Sequence, residues 1–233
     1  MDSQKQIWEK YWQEQDYVAE LEVKEYHVDI KTAIDTFCPH AKTAIEIGSG
    51  IGITSLILSD TLQCTLLDFD EGILQKAKAL FEKQQKEARF ICCDMFHLDT
   101  IKEKFDVVFN SGVLEHYTVK ERRNLLMEYQ KTLNHNGIML IAVPNHYCLP
   151  YKIGYIALRL LRKWQYPPEF AIKDFSRELK NSNLHCVKTI IASNNLIENN
   201  IQNKFLRKTY RFFKTIFRFQ GYLRIFIIQK LTT

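Results

Sequence analysis

The stretch AIEIGSGIGI, residues 44–53, decides the fold. A short β-prone run ends at Gly48, glycines follow at every second position to Gly52, and apolar residues then resume at helical spacing. This pattern predicts a strand, a tight turn and a helix, because glycine tolerates positive φ and lets backbone approach a ligand closely. In an open α/β sheet, a turn at the carboxyl end of a strand is where ligands bind.

The spacing of this turn differs from that of dinucleotide-binding turns. Those turns have the pattern G-x-G-x-x-G, whereas this chain has G-x-G-x-G preceded by Glu46. A carboxylate at that position repels phosphate, so the turn favours a ligand with positive charge and argues against a nucleotide- or NAD-binding protein. The alternative is a structural turn that binds nothing.

The composition is that of one soluble globular domain. The 233 residues are 46% hydrophobic and 25% charged. No apolar run approaches the roughly 18 residues needed to span a bilayer, and the amino-terminal segment has no apolar core of a secretory signal. Six scattered cysteines without a C-x-x-C pair indicate reduced thiols and no zinc site. We therefore expect a cytoplasmic protein.

Further strands alternate with helices along the chain. Four more apolar runs predict strands, at 64–67, 89–93, 104–110 and 137–143. This alternation implies a doubly wound, mainly parallel sheet with helices on both faces, the α/β class. Asp68 follows the second strand and Asp94 the third, so we expect both carboxylates beside the glycine turn, at one edge of the sheet.

The two carboxylates suit different parts of a nucleoside. Asp68 lies 20 residues after Gly48, where a carboxylate can accept hydrogen bonds from both hydroxyls of a ribose. The alternative for Asp68 is a helix N-cap. Asp94 can accept a hydrogen bond from the exocyclic amine of adenine, and Met95 can offer its backbone N–H to the ring. These contacts fit a nucleoside without a phosphate site.

In this order, the segments resemble a class I S-adenosylmethionine-dependent methyltransferase of the small-molecule type, with motifs like those of ubiquinone and menaquinone methyltransferases. The matching segments are AIEIGSGIG at 44–52, LLDFDEGILQKAKALF at 66–81, FICCDMF at 90–96, FDVVFNSGVLEH at 105–116 and LNHNGIMLIAVPN at 133–145. The resemblance implies a seven-stranded sheet of order 3-2-1-4-5-7-6 with the last strand antiparallel, whose remaining strands lie at 183–192 and 222–230.

The resemblance also implies a cofactor, S-adenosyl-L-methionine, and the residues that hold it. Glu46, Gly48 and Gly50 would hold the methionine part, and the backbone near Asn110 would contact its ammonium group. Residues that follow the second and third strands would bind the adenosine part. Asp68 would bind the ribose, and the adenine would contact Phe69, Asp94 and Met95.

Segment 111–116 contains the candidate metal ligands and the candidate catalytic base. It resembles the S-E-x-x-E-H pattern of ubiquinone-pathway O-methyltransferases and of RNA methyltransferases with a bound metal, but Gly112 replaces the first acid. Only Glu115 and His116 remain, and two ligands make a poor divalent site, so we predict no metal. His116 is the candidate catalytic base, because an imidazole with an ordinary pKa is largely neutral near pH 7.

Other roles are open for this region. Glu115 and His116 could simply cap the following helix. Three other residues border the same opening of the predicted site and are equally good candidates for contacts with the acceptor: Tyr117, Asn145 and His146.

We predict a single methyltransferase domain over 1–233 with two additions. Residues 1–25 would form a helical lid, whose apolar face is formed by Ile7, Trp8, Tyr11, Trp12 and Tyr17; the alternative is a helix packed on the domain. Segments 145–180 and 200–220 would form an inserted substrate cap that carries a basic amphipathic helix.

The basic helix at 203–219 has three competing interpretations. After Glu198 the chain contains eight lysines and arginines and no acidic residue. The helix could cover ordinary core with a solvated face, recognise an anionic or amphipathic substrate, or dock peripherally on an anionic membrane. No recognised module supports a nucleic-acid partner, and the oligomeric state is open.

The sequence thus predicts methyl transfer from S-adenosylmethionine to an oxygen or nitrogen of a small-molecule acceptor, such as a metabolite, a glycan or a lipid-linked precursor. The alternative is a catalytically silent S-adenosylmethionine-binding or scaffold protein that docks through its basic helix.

Overall fold

The computed structural model describes residues 2–14 and 22–231. Tyr17, part of the predicted lid, lies outside the described residues. The helices are α1 Asp2–Glu14, α2 Glu25–Phe37, α3 Ile53–Leu58, α4 Glu71–Lys83, α5 Val119–Thr132, α6 Leu149–Leu160, α7 Leu196–Asn199 and α8 Lys204–Phe217. The strands are β1 Thr43–Ile47, β2 Gln63–Asp68, β3 Arg89–Cys92, β4 Phe105–Ser111, β5 Leu133–Pro144, β6 Leu184–Ala192 and β7 Leu223–Lys230.

The strands form one seven-stranded sheet in the order β3-β2-β1-β4-β5-β7-β6. The first five strands pair in parallel, whereas β7 runs antiparallel to both β5 and β6. This confirms the predicted fold class, the strand order and the antiparallel last strand. The parallel strands direct their carboxyl ends to one edge of the sheet, where the glycine turn lies.

Both faces of the sheet are covered, as the continuous apolar strands predict. Neighbouring residues of β2 show the two layers, because Leu66 packs with Ile30 and Phe81 of α2 and α4. The next residue, Leu67, packs in the opposite layer with Leu125 and Tyr129 of α5. Each layer is fully buried at these positions, so the strands that carry the site are packed on both faces.

Two local features differ from the sequence-based expectation. β5 begins at Leu133 instead of 137, and its pairing with β4 shifts after Phe105 pairs with Leu133. The helix α5 is capped by Thr118, whose hydroxyl accepts from Glu121 N–H while the Glu121 carboxylate accepts from Thr118 N–H. The capping role suggested for Glu115 and His116 is therefore wrong.

Candidate active site

A cavity of about 410 Å³ lies at the carboxyl ends of the parallel strands. Its volume falls within the roughly 300–1,000 Å³ of small-molecule sites. Seven of the eight residues predicted to hold the cofactor line its wall: Glu46, Gly48, Gly50, Asp68, Phe69, Asp94 and Met95. The fold therefore brings these seven residues together, and their individual roles stay predictions.

The glycine turn is tied to the end of the neighbouring strand. Gly48 and Gly50 have φ of +68° and +54°, a conformation that favours glycine. The N–H groups of Gly48 and Ser49 donate to the Leu67 carbonyl at 2.8 and 3.0 Å. A Cβ on Gly50 would lie 2.8 Å from the Trp12 side chain, so any larger residue there conflicts with α1.

Asp68 holds the turn against the end of β2. Its Oδ2 accepts from Gly50 N–H at 2.9 Å, and its Oδ1 accepts from Asp70 N–H at 3.2 Å. The cap of α4 is Asp70, which accepts from the N–H groups of Gly72 and Ile73, so the suggested capping role of Asp68 is wrong. Burial raises the pKa of the Asp68 carboxyl to about 6.

Glu46 lies on β1 beneath the same turn. Its Oε2 accepts from the Ser55 hydroxyl at 2.6 Å and from Ser55 N–H at 3.2 Å. Burial raises its pKa to about 7 despite these two donors. A cation in the cavity would favour the ionised form of Glu46 and lower this pKa.

Lys5 of α1 reaches the groups predicted to contact adenine. Its Nζ lies 2.8 Å from Asp94 Oδ2 and 5.5 Å from the centre of the Phe69 ring. Asp94 Oδ1 accepts from Phe96 N–H at 3.0 Å. Burial acts to raise the pKa of Asp94, but the bonds from Lys5 and Phe96 outweigh it and hold the pKa below its usual value.

The helix α1 covers the cavity. Trp8, Tyr11 and Trp12 line the wall, and the hydroxyl oxygens of Tyr11 and Tyr166 lie 3.0 Å apart. Lys76 Nζ donates to the Trp12 carbonyl at 2.7 Å, which ties α1 to α4. These contacts hold α1 against the cavity, and its role as a lid stays a prediction.

The structure does not place His116 or Asn110 on the cavity wall. His116 is 3% exposed; its Nδ1 lies 3.3 Å from the Pro168 carbonyl, and burial lowers its pKa. Trp8, which does line the wall, packs edge-on against the His116 ring at 5.3 Å. The Asn110 amide points into the core and donates to the Tyr129 hydroxyl at 3.0 Å.

The wall residues that were not assigned to the site from sequence include Tyr26, His27, Tyr166 and Tyr222. The Nδ1 atom of His27 accepts from Lys24 N–H at 2.9 Å, and burial, with the nearby Lys24 charge, lowers its pKa to about 4. His27 is therefore neutral near pH 7. These residues come from three separate segments, and no local motif marks them, so only the tertiary fold shows that they meet.

A buried polar cluster lies behind the wall. Glu115, His116 and Glu169 each offer a metal-ligand atom, and these atoms all lie within 4.8 Å of one another. Glu169 Oε2 is also 2.7 Å from both His146 Nε2 and the Tyr151 hydroxyl. His146 is thus engaged in this cluster and does not line the cavity.

Of the other two residues suggested as acceptor contacts, only one lines the cavity. Asn145 is fully buried and donates from Nδ2 to the Gly221 carbonyl at 2.9 Å, so it joins β5 to the chain before β7. Tyr117 lines the cavity.

A sheet of this order, with a glycine turn after β1 and acids after β2 and β3, is the architecture of class I methyltransferases. Residues 44–137 match a family described as a methyltransferase domain. This match and the shared fold make the chain similar to class I S-adenosylmethionine-dependent methyltransferases, which supports the resemblance found in the sequence. The likeness to quinone methyltransferases stays a prediction.

The curated relatives match the chain over about 100 residues. Over 101 residues the chain is 30% identical to N-terminal Xaa-Pro-Lys N-methyltransferase 1 of Bos taurus, a match that covers 42% of this chain and 45% of that protein. The chain spans less than half the length of the curated relatives it matches.

Solved structures resemble the chain over nearly its whole length. Geranyl diphosphate C-methyltransferase from Streptomyces coelicolor aligns with a TM-score of 0.66 at 10% identity, over 99% of this chain and 98% of that one. An S-adenosylmethionine-dependent methyltransferase from Clostridium acetobutylicum aligns with a TM-score of 0.63 at 12% identity, over 92% and 94%. At these identities the likeness shows the fold and leaves the acceptor open.

Proposed function

We propose that the protein binds S-adenosylmethionine in this cavity and transfers its methyl group to an oxygen or nitrogen of a small-molecule acceptor. The observation that carries this proposal is the composition of the cavity wall. The wall contains the glycine turn and the carboxyl groups of Glu46, Asp68 and Asp94, together with aromatic side chains and His27. The glycine turn and carboxyl groups suit the cofactor, and the remaining aromatic residues suit the acceptor.

The residues present fit this cofactor. Asp68 already accepts two backbone N–H groups, and a carboxylate retains lone pairs for further donors such as ribose hydroxyls. Glu46 offers negative charge beside the glycine turn, which favours a cationic ligand over a phosphate. When bound, S-adenosylmethionine supplies a methyl group on a positively charged sulfur that departs neutral, so no acid is needed for the leaving group.

The protein would contribute to catalysis by positioning the acceptor against the methyl group of the cofactor. Aligning the acceptor atom with the methyl group and the sulfur can lower such a barrier by roughly 7–11 kcal/mol. Burial raises the pKa of the Tyr222 phenol well above its usual value, so this hydroxyl stays a hydrogen-bond donor at neutral pH. Because His27 Nδ1 accepts from Lys24 N–H, the neutral ring carries its proton on Nε2 and can donate a hydrogen bond to the acceptor.

The enclosure of the cavity favours a small acceptor. The Tyr11 and Tyr166 hydroxyls meet above the cavity at 3.0 Å, and Gln4 Nε2 donates to the His116 carbonyl at 2.8 Å. A protein chain would have to displace these contacts to enter. His116 stays a candidate base, although its ring would reach an acceptor only after Trp8 moves.

Two measurements test the proposal. Calorimetry with S-adenosylhomocysteine should give binding that is lost or greatly weakened in Asp68→Asn. Incubation with S-adenosylmethionine and a panel of small hydroxyl and amine compounds should then release S-adenosylhomocysteine. No heat with either compound, together with tight binding of a dinucleotide, would overturn the assignment. Binding without turnover on any acceptor would favour the silent scaffold alternative.

A further inference from the structure

The helix α8 lies with its apolar side toward solvent. None of its residues is buried, and six large apolar side chains are between 44% and 77% exposed. An amphipathic surface helix usually turns its apolar stripe to the core. These exposed residues are Phe205, Leu206, Phe212, Phe213, Ile216 and Phe217.

The polar side of α8 faces the protein and fixes this orientation. Arg211 Nη2 lies 2.6 Å from Glu198 Oε1, and Lys214 Nζ lies 3.4 Å from Glu198 Oε2. Arg207 Nε donates to the Ile201 carbonyl at 2.9 Å. Because three basic residues on one side are anchored to the chain around α7, the apolar side is directed outward.

The neighbouring helix α6 adds a second apolar stripe. Tyr155 is buried on its inner side, whereas Leu149, Ile153, Ile156 and Leu160 repeat at 4-3-4 spacing and are 46–79% exposed. The stripes meet in a groove lined by residues of both helices and the chain after α8: Leu149, Pro150, Ile153, Thr209, Tyr210, Phe213 and Phe219. These four residues of α6 and six of α8 form one continuous surface, the α6–α8 surface.

Positive charge surrounds the α6–α8 surface. No acidic residue occurs from 147 to 168 or after Glu198. Basic side chains border the apolar residues and are exposed: Lys152, Arg159, Arg162, Lys163, Lys204, Lys208 and Arg218. A contiguous apolar patch with a basic rim is the pattern of a surface that binds anionic lipid.

We infer that the α6–α8 surface docks peripherally on an anionic lipid bilayer. Its apolar side chains enter the interface, while the basic rim meets the anionic headgroups. Within residues 2–14 and 22–231, no helix combines the length and apolarity needed to cross a bilayer. A second copy is a poorer occupant, because a two-fold pairing would bring two basic rims together.

The docking surface is adjacent to the cavity, although the inference does not depend on the proposed reaction. The Tyr151 ring on the inner side of α6 lies 5.1 Å from the ring of Tyr222, which lines the cavity wall. Docking therefore brings the cavity close to the membrane surface.

Vesicle flotation with the full chain tests the inference. We expect the protein to float with vesicles of phosphatidylcholine and phosphatidylserine, to bind phosphatidylcholine alone much more weakly, and to be released by salt. Lys204→Glu with Lys208→Glu should weaken binding to anionic vesicles by about 25-fold or more, since each basic residue near the surface contributes roughly fivefold. Phe212→Glu with Phe217→Glu should abolish flotation.

A matched control separates docking from general surface change. Met127 on α5 is an exposed apolar residue away from this surface, and Met127→Glu should float like the unmodified protein. Circular dichroism melts of all variants establish that they are folded. Unchanged flotation of the phenylalanine variant, or equal binding to both vesicle types, would overturn the inference. A dimer in light scattering that the phenylalanine variant dissociates would assign the surface to a second copy instead.

Discussion

Lys5 and Asp94 form an ion pair of 2.8 Å that links α1 to the chain that follows β3. Lys5 also lies over Phe69. The ammonium group therefore lies against two of the three residues that the family resemblance assigns to adenine, so we expect this part of α1 to adjust when a cofactor enters.

Removing that ammonium should favour cofactor binding. We expect Lys5→Met to bind S-adenosylhomocysteine up to about fivefold more tightly, because an exposed ion pair that the ligand must replace is worth roughly 0.2–1 kcal/mol. Calorimetry at low salt measures this. Lys10, which faces Glu14 on the same helix, supplies the control Lys10→Met, for which no change is expected. Weaker binding in Lys5→Met would show instead that Lys5 contacts the bound cofactor.

Asp68 should make cofactor binding depend on pH. Its pKa is about 6 in the unliganded protein, and hydroxyl donors favour the ionised form, so binding releases a proton. Affinity for S-adenosylhomocysteine should therefore rise from pH 5 to pH 7. Asp68→Asn should lose much of this dependence and bind roughly 100-fold more weakly at pH 7, since two charge-assisted hydrogen bonds are lost.

Asp70 provides the matched control for Asp68. It caps α4 two residues further along, so Asp70→Asn should change stability by about 1 kcal/mol or less. Binding should stay pH-dependent, with the midpoint moved slightly to lower pH, because the Asp70 charge helps to raise the pKa of Asp68. If Asp68→Asn bound with unchanged affinity and pH dependence, Asp68 would have no part in the site.

The sequence predicts the sheet and the cofactor part of the cavity because both depend on local signals. Glycine spacing, strand length and the acid after each strand are all visible in short windows, and parallel topology then brings the strand ends together. The acceptor part depends on long-range contacts. Tyr222 and His27 belong to distant segments, and the burial of His116 behind Trp8 depends on how α1 packs. Neither relationship leaves a pattern in the sequence.

Glu46 should make stability depend on pH in the opposite sense from an ordinary salt-bridged acid. Its folded-state pKa of about 7 exceeds the ordinary glutamate pKa of 4.5, so between these values the folded state binds more protons and stability falls as pH rises. Glu46→Gln removes this contribution and keeps an acceptor for Ser55. The stability of the variant relative to the unmodified protein should therefore increase by up to about 3 kcal/mol from pH 4.5 to pH 8.

Urea unfolding of both proteins at each pH measures this difference, and His27 and other titrating groups cancel in it. A difference between the two proteins that stays constant with pH would mean that Glu46 ionises normally in the folded state.

We expect methyl transfer to need no divalent cation. Glu169 Oε2 already lies within 2.7 Å of His146 and the Tyr151 hydroxyl, so it is engaged without a metal. Treatment with EDTA followed by desalting should leave turnover unchanged, and elemental analysis should find no stoichiometric metal. Turnover that is lost with EDTA and restored by one divalent ion would identify Glu115, His116 and Glu169 as a metal centre.

The two histidines differ in their access to the acceptor. His27 lines the cavity, whereas His116 is separated from it by Trp8. If α1 keeps its position during the reaction, His27→Gln should lower kcat/KM by up to about tenfold, because it displaces a hydrogen-bond donor on the cavity wall, and His116→Gln should lower it far less. Both variants should bind S-adenosylhomocysteine with nearly unchanged affinity, which excludes a collapsed site. A large loss of kcat in His116→Gln alone would make His116 the base and would require Trp8 to move aside in each catalytic cycle.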